Sequence, residues 1–117
     1  MNIFKILNTS GRRAAAVEFS PLLFKAGTKT HRLALHQTSG GTWVVSDPES
    51  GGRICEVTGL VYGVRTSSRG IGPREAARLA RVNLAELVER VTADGFNGRL
   101  EVARVKYAAQ SDHEAVK

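Results

Sequence analysis

The residues able to do chemistry are few and widely spaced in this chain. Its histidines are His31, His36 and His113, and Cys55 is its single cysteine. His31 and His36 are five positions apart, so on one strand they point to opposite faces and cannot share a metal ion. Cys55 has no histidine near it in sequence, and Val57 shares its strand phase, the pattern of a buried, inert thiol. No cysteine or histidine spacing matches a zinc motif. Asp47, Glu49 and Glu56 surround one turn, where acidic residues are favoured for local hydrogen bonding alone, and a hard cation needs several converging oxygens. Gly70-Ile71-Gly72-Pro73 lacks both the third glycine of a dinucleotide fingerprint and the lysine of a P-loop. No nucleophile is matched with a base. These residues point to a non-enzymatic protein with no catalytic residue, no metal and no cofactor.

Binding chemistry is better represented. The net charge is +6, and it is uneven. Residues 1–40 hold six bases, Lys5, Arg12, Arg13, Lys25, Lys29 and Arg32, against Glu18 alone. The remaining 77 residues hold 11 bases and 10 acids. A basic first third suits an acidic partner such as nucleic acid. Arg74, Arg78 and Arg81 recur at helical spacing and could follow a phosphate backbone, with Arg69 just ahead of them. Arg78 also has Glu75 within ion-pairing distance along a helix, and Arg90 has Glu86. The nucleic-acid candidates are therefore Arg12, Arg13, Lys25, Lys29, Arg32, Arg69, Arg74, Arg78 and Arg81.

These arginines must be positioned by a helix over 73–92. Pro73 suits a first helical position, and Glu75 favours the positive end of the helix dipole. Ala77, Ala80, Leu84, Leu87, Val88 and Val91 form the stripe that packs on a sheet. Leu79, Val82 and Glu86 make a separate strip, whose two apolar members point away from that core. Leu79 and Val82, with Trp43 if it lies on an open sheet face, are the candidates for a protein contact. Asp94-Gly95 reads as the helix stop, with Gly95 as a left-handed cap.

Before the helix the pattern is β. Alternation over 12–20, 31–37 and 42–46, with turn clusters at 8–11, 38–41 and 47–52, gives a meander. Pro21 interrupts the first run, and Leu22-Leu23-Phe24 follows as an apolar plug that could cover the open sheet face. A further strand occupies 53–58, and 60–66 extends it or forms another, with Gly59 and Gly63 marking a bulge or bend. After the helix, 99–107 reads as a last strand whose apolar phase shifts between Val102 and Ala103. The expected fold is α+β, an antiparallel meander packed on one long helix and followed by a C-terminal strand. Residues 1–109 make one domain, and 110–117 a flexible polar tail.

Gly41-Thr42-Trp43-Val44-Val45-Ser46 on a strand and Pro73-Arg74-Glu75-Ala76 opening a helix resemble, over residues 31–106 at most, the partial ribonuclease-H-like fold of HicB-type antitoxins. The chain lacks the Pro-Asp-Leu-Pro-Gly type of segment common there, and the likeness is one of topology only.

A chain of 117 residues with 42% hydrophobic content suffices for one core without a disulfide. A lone cysteine suits a reducing compartment, so the expected location is cytoplasmic; no apolar run is long enough to span a membrane. The expected role is a basic nucleic-acid-binding module. The alternative is a protein-interaction module, an accessory or inhibitor docking on a larger, nucleic-acid-processing complex or pairing with a second copy of itself.

Overall fold

A computed structural model describes residues 2–8 and 10–116. Thr9, expected in the first turn, and Lys117, expected in the tail, lie outside the described residues, as does the side chain of His113. The described chain is eight antiparallel strands in three sheets, followed by two helices. A hairpin of β1 (Ile3–Leu7) and β2 (Arg13–Glu18) comes first. A four-stranded meander follows, ordered β3 (Ser20–Ala26), β4 (Lys29–Gln37), β5 (Trp43–Ser46), β6 (Arg53–Glu56). Then come a second hairpin, β7 (Thr58–Val61) and β8 (Val64–Ser67), and the helices α1 (Pro73–Val91) and α2 (Ala93–Val116).

The core lies between the meander and the helices. Leu22 and Ala26 of β3, Leu33 and Leu35 of β4, and Trp43 and Val45 of β5 meet Ala76, Ala80 and Leu84 of α1 and Phe96 and Leu100 of α2. Each fully buried leucine here is worth about 2 kcal/mol in area removed from water. Alanines at Ala76 and Ala80 let α1 approach the sheet closely. The opposite sheet face carries Ala34, His36, Val44 and Ser46, all buried. The β1–β2 hairpin helps cover it, with Phe4 packed edge-on against His36.

The expected plug at Leu22 to Phe24 is instead part of β3. Pro21 is tolerated there because β3 pairs only with β4 and so lies at a sheet edge. Leu22 enters the core, while Leu23 points outward, as alternation demands.

The expected C-terminal strand at 99–107 is helix, and the chain has two helices in place of one. Phe96, Leu100, Ala103, Arg104 and Tyr107 recur at three and four residues and form the inward face of α2. The phase shift that suggested a strand bulge was this helical period. Val102 and Val105, the β-branched residues that favoured a strand, are exposed. The helix break also falls earlier than Gly95. Thr92 takes φ 69°, ends α1, and accepts the Gly95 N–H on its hydroxyl at 3.1 Å, capping α2. Residues 110–116, expected as a tail, continue the α2 backbone.

One turn joins the layers. Asp47, 1% exposed, closes the 47–52 turn by accepting from the Glu49 and Ser50 amides. Arg104 of α2 reaches it with two hydrogen bonds, Nε to Oδ2 at 3.0 Å and Nη2 to Oδ1 at 3.1 Å, and also meets Glu49 at 2.7 Å. Burial works against the charge on Arg104, but its bonds to Asp47 and the charges of Asp47, Glu49 and Glu101 more than offset this and raise its pKa. From the other side Arg13 of β2, 2% exposed, donates to the carbonyls of Lys5, Pro48 and Glu49. Gly51 is required here: it takes φ 78°, and a Cβ would strike the Lys5 carbonyl and the Arg13 guanidinium.

His31 extends the same network. Asn97 Nδ2 donates to the Ala26 carbonyl at 3.1 Å, so Asn97 Oδ1 faces His31 Nε2 at 2.6 Å. His31 must then donate from Nε2, which leaves Nδ1 as the acceptor for Arg104 Nη1 at 3.4 Å.

Removing Arg104 while keeping Asp47 strands a buried carboxylate. Arg104→Leu should lower folding stability by about 3 kcal/mol in urea denaturation. Adding Asp47→Asn should recover part of that loss, so the double variant should be less destabilised than additivity requires.

Candidate functional site

The fold distributes the nine nominated cations over separate places. Arg69 and Arg74 stand at the N-terminal end of α1, where the Arg69 stem lies beside Gly41 and the Ile71 carbonyl accepts the Trp43 indole N–H. Lys25 and Lys29 flank the β3–β4 turn, which meets the chain at Ala93, at the far end of α1. Nineteen residues of helix separate these ends, about 28 Å at 1.5 Å per residue. Arg12 borders the β1–β2 turn, its carbonyl accepting the Asn8 N–H. Arg32 lies on the sheet face turned away from the helices, over the Phe19 ring and bonded to Asn2. Arg13 is withdrawn altogether: its guanidinium is buried on main-chain carbonyls and cannot present itself to a phosphate. On α1, Arg78 pairs with Glu75 as its spacing predicted. Arg74 and Arg81 make no ion pair among the described residues.

Trp43, nominated as a surface anchor, is 8% exposed and belongs to the core. Its Nε1 donates to the Ile71 carbonyl at 2.9 Å, and its main-chain N–H donates to the buried Ser68 hydroxyl at 2.9 Å. The ring therefore fastens the loop before α1 to β5 and offers no free face.

The outer strip of α1 is where the fold brings nominated residues together. Leu79, expected to point away from the core, is instead half-buried: it packs against the core cluster, and the β7–β8 hairpin approaches it at Gly59. Asn83 holds that hairpin as a strand would: it accepts from Thr58 N–H at 2.8 Å and donates back to the Thr58 carbonyl at 3.2 Å. Glu86 pairs with Arg65 at 3.0 Å, and Arg65 also donates to the Thr58 hydroxyl. The expected Glu86–Arg90 pair is thus replaced by a contact between helix and hairpin. Val82 shares the face of Leu79, Asn83 and Glu86, and it remains 45% exposed beside the hairpin.

Beyond its pinned base, the hairpin has little cover. Leu60, Val61 and Val64 are all more than half exposed, and Tyr62 at the turn is fully exposed. Leu60 and Val61 are adjacent in a strand and so point to opposite faces; both being exposed means that neither face of the tip is covered. The turn is Tyr62-Gly63, with φ 51° and 78°. Two successive left-handed residues form the primed turn that suits a tight hairpin, and the first of them is normally asparagine, aspartate or glycine. A bulky aromatic there is strained by about 1 kcal/mol. This tip was not among the sequence-nominated residues. Its signal was present in Leu60-Val61-Tyr62-Gly63-Val64, two apolar runs separated by a two-residue turn ending in glycine.

Two reactive groups stand apart from this surface. Cys55, expected to be buried, is half-buried, and that burial pushes its thiol up to about 11. His36, 4% exposed, meets the Ser46 hydroxyl through Nε2 at 2.8 Å, while its Nδ1 has no hydrogen-bond partner. Burial lowers its pKa, and the nearby Arg53 charge adds to that. The adjacent Gln37 main chain pulls the other way, by more than Arg53 adds, but burial outweighs it.

Compared with known protein families, curated proteins and solved structures, the chain matches none. The topological likeness to HicB-type antitoxins loses its final strand, which is helix in this chain.

His36 gives a signed pH dependence. Its folded pKa lies below the unfolded value of 6.5, so the unfolded chain takes up the proton first on acidification. Stability should be full above pH 6.5 and fall as the pH drops towards 5, by at most about 1.4 kcal/mol per pH unit. Urea midpoints across that range should show the slope in the natural chain and a flatter one in His36→Gln.

Proposed function

We propose that this chain is a non-enzymatic binding protein whose main contact is a protein partner seated on the β7–β8 tip and the neighbouring Val82 of α1. The observation that carries this reading is Tyr62. A fully exposed aromatic ring held in a left-handed turn costs the fold stability and contributes no internal contact in return. Surface aromatics of this kind are the residues that dominate protein interfaces once a partner desolvates them. Leu60, Val61, Val64 and Val82 supply the apolar surround, and the Asn83 and Arg65–Glu86 contacts hold the base of the hairpin in a fixed orientation. The partner that fits is a protein surface with an apolar pocket able to take one tyrosine ring.

Nucleic-acid binding is the second reading. The observation in its favour is the exposed set of Arg69, Arg74 and Arg81, with no carboxylate partner on Arg74 or Arg81 among the described residues. Against it stands the separation of these arginines from Lys25, Lys29, Arg12 and Arg32, which leaves no single basic surface.

Tyr62→Asn separates fold from function, because asparagine suits the turn. The variant should be more stable than the natural chain by about 1 kcal/mol and should lose the proteins that the natural chain retains in a nuclease-treated pull-down from its host. Retention of the same proteins by Tyr62→Asn combined with Val82→Glu would remove the reading. For the second reading, three phosphate contacts would weaken DNA or RNA binding about 40-fold between 50 and 200 mM salt. An affinity that stays flat across that range would dispose of it.

A further inference from the structure

The β1–β2 hairpin covers the meander incompletely, and the space it leaves is built like a small-molecule site. A cavity of about 710 Å³ lies beneath it. This is within the usual range for ligand pockets, roughly 300–1,000 Å³. Its hairpin wall is apolar, made by Ile6 and Leu7 of β1 and Val17 of β2. Its sheet floor is polar, made by His36, Ser46 and Arg53 from three adjacent strands. Asn8, Gln37, Thr38 and Ser39 complete the lining.

The charge of the lining decides the class of ligand. Among the described residues Arg53 is the only permanently charged one in the lining, and no carboxylate lines the cavity. Burial keeps His36 neutral near physiological pH, so it adds no second charge. Arg53 makes no ion pair among the described residues, which leaves its guanidinium able to accept an anion. The His36–Ser46 hydrogen bond sits next to it: Ser46 is paired with Arg53 across β5 and β6. Nδ1 of His36 is closed off from solvent, and the Arg53 charge lies near enough to His36 to act on it, so Ser46 and Arg53 are the polar groups that the sheet floor offers. Apolar residues on one wall and a single cation on the facing floor match a molecule with a hydrocarbon body and one negative end.

We propose that the cavity under the β1–β2 hairpin binds an amphipathic monocarboxylate, its carboxylate on Arg53 and its hydrocarbon body against Ile6, Leu7 and Val17. This site is separate from the β7–β8 tip and stands whether or not that tip takes a partner.

The test is a titration of the full ¹⁵N-labelled chain with octanoate, followed by amide chemical shifts, beside octan-1-ol and octylamine. Octanoate should give saturable shifts centred on Ile6, Val17, Ser46 and Arg53. Octan-1-ol should bind at least tenfold more weakly, and octylamine should not bind. Arg53→Glu, at an exposed position, should weaken octanoate at least tenfold with the spectrum otherwise intact. Val17→Trp, which fills the cavity from the hairpin side, should abolish the shifts. Shifts that do not saturate, that centre on residues 58–67 or the helices, or that survive Arg53→Glu unchanged would overturn the proposal. So would equal binding of octanoate and octan-1-ol.

Discussion

The rest of the structure depends on how the 47–52 turn is held. Three layers with few shared main-chain hydrogen bonds meet there: the N-terminal hairpin, the meander and α2. Arg13 enters from the hairpin and takes the carbonyls of Pro48 and Glu49; Arg104 enters from α2 and takes the carboxylate of Asp47. The two arginines use different acceptors, so they do not compete for one charge. Gly51 allows the Lys5 main chain to lie against the turn, and the Leu7 N–H reaches the Gly51 carbonyl at 2.9 Å. A buried ion pair of this kind adds little net stability over a well-packed apolar replacement, and its value here is that it fixes one arrangement of the layers.

Much of the architecture was legible in the sequence. Strands β4, β5 and β6, the turns between them and the span of α1 followed from period-two and period-3.6 patterns, and Pro73 marked the start of α1; the strand read first in the meander belongs instead to the N-terminal hairpin, and β3 takes its place. Two features were obscured for identifiable reasons. In α2 the valines and the Asn97-Gly98 pair carry strand and turn preferences, but Phe96, Leu100 and Arg104 have partners across the core and outweigh them. At Pro21 the local rule was sound and the position on an edge strand made it irrelevant.

The candidate surface was only half legible. The α1 strip of Leu79 and Val82 was read as pointing away from the core, but Leu79 packs against the core beside the hairpin and only Val82 stays exposed. The basic residues looked like one population because they share a charge; the fold carries them to separate places. Arg13 shows the limit most clearly. Its type and neighbours match those of Arg12, and only the main-chain carbonyls gathered around it distinguish a structural arginine from a binding one.

Several strand ends are completed by side chains that act in place of main chain. Ser68 bonds both the N–H and the carbonyl of Trp43, Asn97 takes the Ala26 carbonyl, and Asn83 takes both polar groups of Thr58. The Asn83 contact has a consequence for pairing register. A carboxamide offers the donor and acceptor of one peptide group, so α1 supplies the hairpin with a single rung of a ladder. That rung fits Thr58 and fixes which residues face the helix. A slip by one residue would turn the opposite side of the strand towards α1, bringing a bulky side chain to the place where Gly59 now allows Leu79 its contact.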